Sequence, residues 1–190
     1  MTARTLRRVV TGLDAEGRST VAIDGPPGAG FAVATARLDD FWVQAGAAMD
    51  RRDGSDSLDG QVVLSPPAGG SRFRFFELWP PGADAAAQQA EAAEAFKGIK
   101  AETAHRGGEH AGMHETKTID YIILLRGRVR MILEAAEVEL KPFDVVVQRG
   151  TNHAWEAIGD GPALLCAVLI DASFTDAGAV PEPSPHGSRA

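Results

Sequence analysis

The sequence predicts an all-β fold, a sandwich or barrel with one helix set into it. Residues 113–170 break into six short apolar or alternating segments, at 120–126, 128–133, 137–140, 144–148, 153–158 and 163–170. The separators are turn-type: Gly127, "EAAE", "KPFD", "RGTN" and "GDGP". Short strands at this spacing build a sandwich or barrel rather than a parallel βαβ sheet. The one clear helical stretch, "DAAAQQAEAAEAFKG" at 84–98, interrupts the β pattern instead of alternating with it.

The remaining elements follow in chain order. Residues 1–24 read as a strand pair, "TLRRVV" and "TVAI", around the turn "GLDAEGRS". "DGPPGAG" (24–30) is a loop by composition. "FAVATARLDDFWVQAG" (31–46) suits a strand and a short helix, and "DRRDGSDSLDG" is polar loop. "QVVL" (61–64) and "RFRFFELW" (72–79) read as strands separated by "SPPAGGS". In the helix, Asp84 is the expected N-cap and Gly98 the residue past its end. Its apolar face is mostly Ala, with Phe96 the one large anchor, which suits a lightly packed lid or a surface spacer. The tail "TDAGAVPEPSPHGSRA" (175–190) has no apolar pattern. The expected division is an N-terminal extension over 1–60, a barrel over 61–173 with the inserted helix, and a disordered tail over 174–190.

Bulk properties narrow the function classes. The chain has 190 residues, 44% of them hydrophobic, and a net charge of −7. That balance disfavours nucleic acid and anionic membrane surfaces, which select for Lys/Arg clusters. No apolar run approaches the ~20 residues of a membrane-spanning helix. "MTARTLRRVV" is not followed by the apolar region of a secretory signal, so the expected compartment is the cytoplasm. The single cysteine, Cys166 in "ALLCAVLI", rules out an internal disulfide and is expected to be a buried, inert thiol.

Two stretches carry chemistry, "GEHAGMHETKTIDY" and "QRGTNHAWEA". They place His114, Asp120 and His153 in a β region. Two imidazoles and a carboxylate with open positions suit a divalent transition metal. A straight strand would put Asp120 ~20 Å from His114 at ~3.3 Å per residue. Both can therefore serve one site only if the chain folds back near Lys117–Thr118, with the two residues on adjacent strands. His110 is a candidate extra ligand from the entering loop. Thr116, Thr118, Gln148 and Trp155 are expected to line the pocket. Phe73, Phe75 and Trp79 are expected in core or pocket wall, and Tyr121 outside the cavity. A hydrogen-bonded polar cluster without metal explains the same residues.

These residues resemble the two motifs of the cupin superfamily, small β-barrel proteins of the jelly-roll type. Gly108, five residues, His114, one residue, Thr116, three residues, Asp120, six residues and Gly127 keep the spacing of the first motif. "FDVVVQRGTNHAWEA" keeps Gly150 and His153 of the second. It departs from it with Phe143 for Gly, Gln148 for Pro and Ala157 for Asn. "MHETKTIDY" with "VVVQRGTNHAW" is similar to one cupin_2 subgroup. The resemblance implies a single jelly-roll barrel and a metal (Fe, Mn, Ni or Zn) on His114, Asp120 and His153, with Thr116 replacing one imidazole. It further implies a small oxygenated or carboxylated substrate, for a dioxygenase, decarboxylase, isomerase or dehydratase. Asp120 is the candidate catalytic residue, as ligand or as general base. The competing reading is a non-catalytic binding or sensing module. A homodimer is expected, with "TLRRVVTG" crossing to a partner's sheet.

Overall fold

A computed structural model describes residues 6–107 and 110–175 of the chain. Most of the expected tail, with His186, and the motif residue Gly108 lie outside the described residues. The strands are β1 (Arg8–Leu13), β2 (Ser19–Gly25), β3 (Ala29–Ala32), β4 (Ala36–Gln44), β5 (Ser71–Leu78), β6 (Thr118–Arg126), β7 (Val129–Leu133), β8 (Glu137–Leu140), β9 (Val145–Arg149), β10 (His153–Ala157) and β11 (Ala163–Asp171). The helix α1 (Ala85–Gly98) lies between β5 and β6.

Every strand pairing is antiparallel. One sheet has the order β3-β4-β5-β11-β6-β9, a second β10-β7-β8, and β1-β2 form a separate hairpin. From β6 onward the chain passes between the two large sheets at β6–β7, β8–β9, β9–β10 and β10–β11. That interleaving is the jelly-roll principle, and it produces the expected all-β fold. The apolar core draws on both sheets, with Ile122, Leu124 and Leu165 from one and Val129, Met131 and Leu140 from the other. No helix among the described residues is long and apolar enough to cross a membrane.

The N-terminal part departs from expectation in two places. Residues 31–46 hold no helix: β3 and β4 form a hairpin that continues the large sheet. "QVVL" is not a strand. Val62 and Leu64 are buried against Phe96 and Ile99, and the Leu64 amide donates to the Ile99 carbonyl at 2.9 Å. The segment is apolar because it packs under the helix end, which gives strand-like composition without a strand partner.

The helix starts as expected, with the Asp84 carboxylate accepting from the Ala86 and Ala87 amides. Its end shifts by two residues. Gly98 is the last helical residue, and Lys100, at φ 54°, takes the left-handed position instead. Gly98 has a different constraint: a Cβ there would meet the Phe31 ring at 2.3 Å.

Candidate active-site cavity

The two sheets and α1 enclose a cavity of about 230 Å³. Its wall is mainly apolar, including Leu38, Phe76, Leu78, Phe96 and Trp155, and the polar groups facing it are few. His114, Asp120, His153 and Arg74 are among them, with His110, Glu91 and Glu156. Few convergent polar groups in an apolar hollow is the usual make-up of a small-molecule site.

The imidazoles come from one sheet. His114 makes single β-bridges to His105 on one side and to His153 of β10 on the other. Three histidines therefore stand side by side across neighbouring chain segments. The His114 and His153 rings are 4.2 Å apart between centroids. His105 stacks on Phe96 at 4.6 Å, and its Nε2 contacts the Ala111 carbonyl at 2.7 Å. The His114 and His153 Nδ1 atoms lie 2.9 Å and 2.8 Å from the Gly112 and Thr151 carbonyls. A carbonyl can only accept, so both Nδ1 atoms carry the hydrogen and both Nε2 atoms are left as acceptors. Burial pulls both rings below the ordinary imidazole range, His153 to about 3. They are neutral at pH 7.

Asp120 comes from the other sheet. On β6, Thr118, Asp120, Ile122 and Leu124 face inward, while Tyr121 and Ile123 face out. Asp120 is 5% exposed and its Oδ1 has no hydrogen-bond partner. Desolvation pushes its carboxyl up to about 6, against the opposing pull of Thr118 and Arg74. His114 and Asp120 are thus on facing sheets rather than on adjacent strands. The chain bends at Lys117, whose carbonyl accepts from Ala172, and crosses from one sheet to the other.

The structure brings together His114 and His153, with Asp120 in the same cavity, but it does not assemble them into a metal centre. Among the described residues no three His, Cys, Asp or Glu side chains form a group able to hold a metal ion. Asp120 is bonded to Thr118 on its own strand, and the Thr118 hydroxyl lies 2.7 Å from that of Thr116. His110 also lines the cavity, with its Nε2 3.4 Å from Glu156. Trp155 lines the cavity as expected. Thr116, Thr118 and Gln148 do not: they are buried beside it, the threonines bonded to each other and Gln148 to the Thr151 hydroxyl at 2.7 Å.

Strand β5 runs opposite to its expected facing. Arg72, Arg74 and Phe76 point inward, and Phe73 and Phe75 point out to pack against Phe41, tilted and edge-on. The arginines can be inside because Asp40, fully buried and opposite Arg74 on β4, meets both of them. Cys166 also sits on the outward face, opposite Phe75 and Ile123, and is half-buried rather than in the core. Desolvation raises its thiol pKa, so it remains protonated and inert. His105, Arg74 and the helix residue Glu91 were not legible as site residues. His105 lies nine positions before His114 in "HRGGEHAGMH", and only the fold places them side by side.

No family model matches the chain. Phomopsin biosynthesis cluster protein C' of Diaporthe leptostromiformis is 47% identical over 51 residues, 26% of this chain and 27% of that protein. The cupin-domain-containing oxidoreductase fogC of Aspergillus ruber is 32% identical over 68 residues, 34% of each chain. Oryzines biosynthesis cluster protein J of Aspergillus oryzae is 44% identical over 43 residues, 22% of this chain and 24% of that protein. The matched stretch thus spans about a quarter to a third of these relatives. Among solved structures, the Cnp3 cupin domain of Schizosaccharomyces pombe has a TM-score of 0.42 at 11% identity, covering 87% of both chains. Rru_A2000 of Rhodospirillum rubrum, a cupin-2 domain, has a TM-score of 0.38 at 13% identity, over 78% of this chain and 66% of that one.

Proposed function

We propose that the protein is a small-molecule cupin whose cavity transfers protons on a small oxygenated metabolite, in an isomerisation, dehydration or decarboxylation. The supporting observation is Asp120: a buried carboxylate oxygen without a partner, in an apolar cavity that also holds two neutral imidazoles. A general base works best when its pKa lies near the operating pH, and desolvation moves Asp120 to about 6. At neutral pH its carboxylate can take a proton from carbon or oxygen of a bound molecule and return it elsewhere. The Nε2 atoms of His114 and His153 accept hydrogen bonds from hydroxyls of the same molecule. The mainly apolar wall lowers the local dielectric, which strengthens each of these interactions.

The likeness over 68 residues to a cupin-domain oxidoreductase supports a second reading, with a divalent Fe, Mn, Ni or Zn ion on His114 and His153. Imidazoles whose Nδ1 is held by a carbonyl are oriented as metal ligands are. One experiment separates the readings. The protein is incubated in D2O with a panel of small carbonyl compounds and hydroxy acids, with chelator or with added metal, and α-proton signals are followed by NMR. Acceleration in chelator, reduced about 10²-fold or more by Asp120→Asn, is expected. Exchange that requires added metal and is lost in His153→Ala, with His110→Ala unaffected, would overturn the proton-transfer reading. Binding of panel compounds with no exchange under either condition would leave a non-catalytic binding module.

A further inference from the structure

Two arginines face inward and share one acid. The Arg72 Nη1 donates to Asp40 Oδ2 at 2.5 Å, and Arg74 Nη2 to the same oxygen at 3.2 Å and to the Val63 carbonyl at 2.5 Å. Arg74 Nε lies 2.9 Å from Asp40 Oδ1 as an ion-pair contact. Two cations against one anion leave the trio with one positive charge in excess. Arg74 Nη1, with two N–H groups, is buried and has no acceptor at all. Arg74 is 2% exposed, and an unsatisfied buried charged donor is costly.

That donor belongs to a residue of the cavity wall. Asp120 shares the wall, but no ion pair joins it to Arg74. The reason is in the register: β11 lies between Arg74 on β5 and Asp120 on β6, and across it Asp120 is level with Leu169 and Arg72 while Arg74 is level with Ala167 and Ile122. Two strand spacings of ~4.8 Å and an offset of two residues along the strand, at ~3.3 Å each, separate their backbones. Directly beside Arg74 the β11 residue is Ala167, which is too short to fill the gap.

We propose that Arg74 is the anion anchor of this cavity and that its ligand is a small monocarboxylic acid with an apolar body. The proposal rests on the cavity being a small-molecule site and names the class of molecule it takes. A planar carboxylate matches the guanidinium fork and supplies the acceptor that the buried Nη1 lacks. The apolar remainder lies against walls such as Phe76, Leu78 and Trp155. The acid so held spans the gap toward Asp120 and the imidazoles.

The test uses two probes of one shape, benzoate and benzamide, with calorimetry on the full chain. Benzoate is expected to bind at least tenfold more tightly than benzamide. Arg74→Gln is expected to weaken benzoate tenfold or more and leave benzamide within about twofold. If that variant does not fold, the wild-type protein decides: benzoate, and not benzamide, must shift the ¹⁵N resonance of the Arg74 side chain. Equal binding of the two probes, or a benzoate preference that persists in Arg74→Gln, overturns the anchor and leaves the cavity reading standing. Binding of neither probe overturns both.

Discussion

At the scale of single residues, the site is built from groups held in the protonation state that burial favours, and this makes stability depend on pH in a defined direction. His153 is neutral when folded, at about 3 against 6.5 for a free imidazole. The unfolded chain takes up a proton between those values and the folded chain does not. The His153 contribution is therefore complete above pH 6.5 and is lost as pH falls toward 3. His114 acts in the same direction. Asp120 acts in the opposite one: its folded carboxyl keeps a proton up to about 6, while the unfolded one loses it near 3.8. Its contribution is present below 3.8 and lost as pH rises to 6. Two imidazoles outweigh one carboxyl, so urea unfolding in chelator should show stability falling from pH 6.5 to pH 4. Asp120→Asn removes the cost of a buried charge. It should raise stability at pH 7 by about 1–3 kcal/mol and change little at pH 4. A variant less stable at pH 7 would mean that Thr118 and Arg74 together outweigh the desolvation of the carboxylate.

At the scale of elements, α1 closes the cavity through few contacts. Phe96 is its one buried side chain, stacked on His105 and tilted against His114 at 5.2 Å. Glu91 fixes the helix to the sheet end, accepting from the Thr35 amide at 2.7 Å and hydroxyl at 2.8 Å. Phe96→Ala should cost about 3–5 kcal/mol. The loss should be local, seen as faster amide exchange over 85–98 than in β6 or β11. Uniform loosening of all elements would show the helix to be part of the global core instead. The helix, β1–β2 and the six strands of 118–171 were legible because each carries its own period and turn chemistry. What was not legible depended on a distant partner. "RFRFFELW" has the alternation of a strand, but Phe73 and Phe75 face out, because Asp40, 34 residues away, admits Arg74 to the interior. "QVVL" and the 31–46 hairpin were misread because burial under a helix end and membership of a wide sheet leave similar local composition. His114 and His153 carried the motif spacing and so were found. Thr116 and Thr118 shared that spacing, yet they are buried beside the cavity and bonded to each other.

At the scale of the whole molecule, the outer face of the large sheet is unusually apolar where β6 meets its edge strand β9. Tyr121 and Val147 are 49% and 55% exposed and directly opposite each other, as are Ile123 and Val145 at 37% and 62%. Phe143, at the turn into β9, is 80% exposed. Isolated exposed apolar residues are ordinary, whereas a contiguous set beside an open sheet edge favours association. The expected crossing by "TLRRVVTG" has less support: β1 is paired to β2 in the same chain, and buried Arg8 bonds to Asp56 and the Phe41 carbonyl. We therefore propose that a second copy covers the β6–β9 face about a two-fold axis. In such an isologous contact each β9 edge meets its own symmetry mate, so one patch is its own complement. Light scattering at micromolar concentration should give a dimer. Val147→Lys should shift it to monomer, because a lysine opposite its own symmetry mate repels as well as desolvates. Val147 faces away from the cavity, so the same variant should bind benzoate as the wild type does. A monomeric wild-type protein, or a dimer indifferent to Val147→Lys, would place the contact elsewhere and leave the exposed row to another partner.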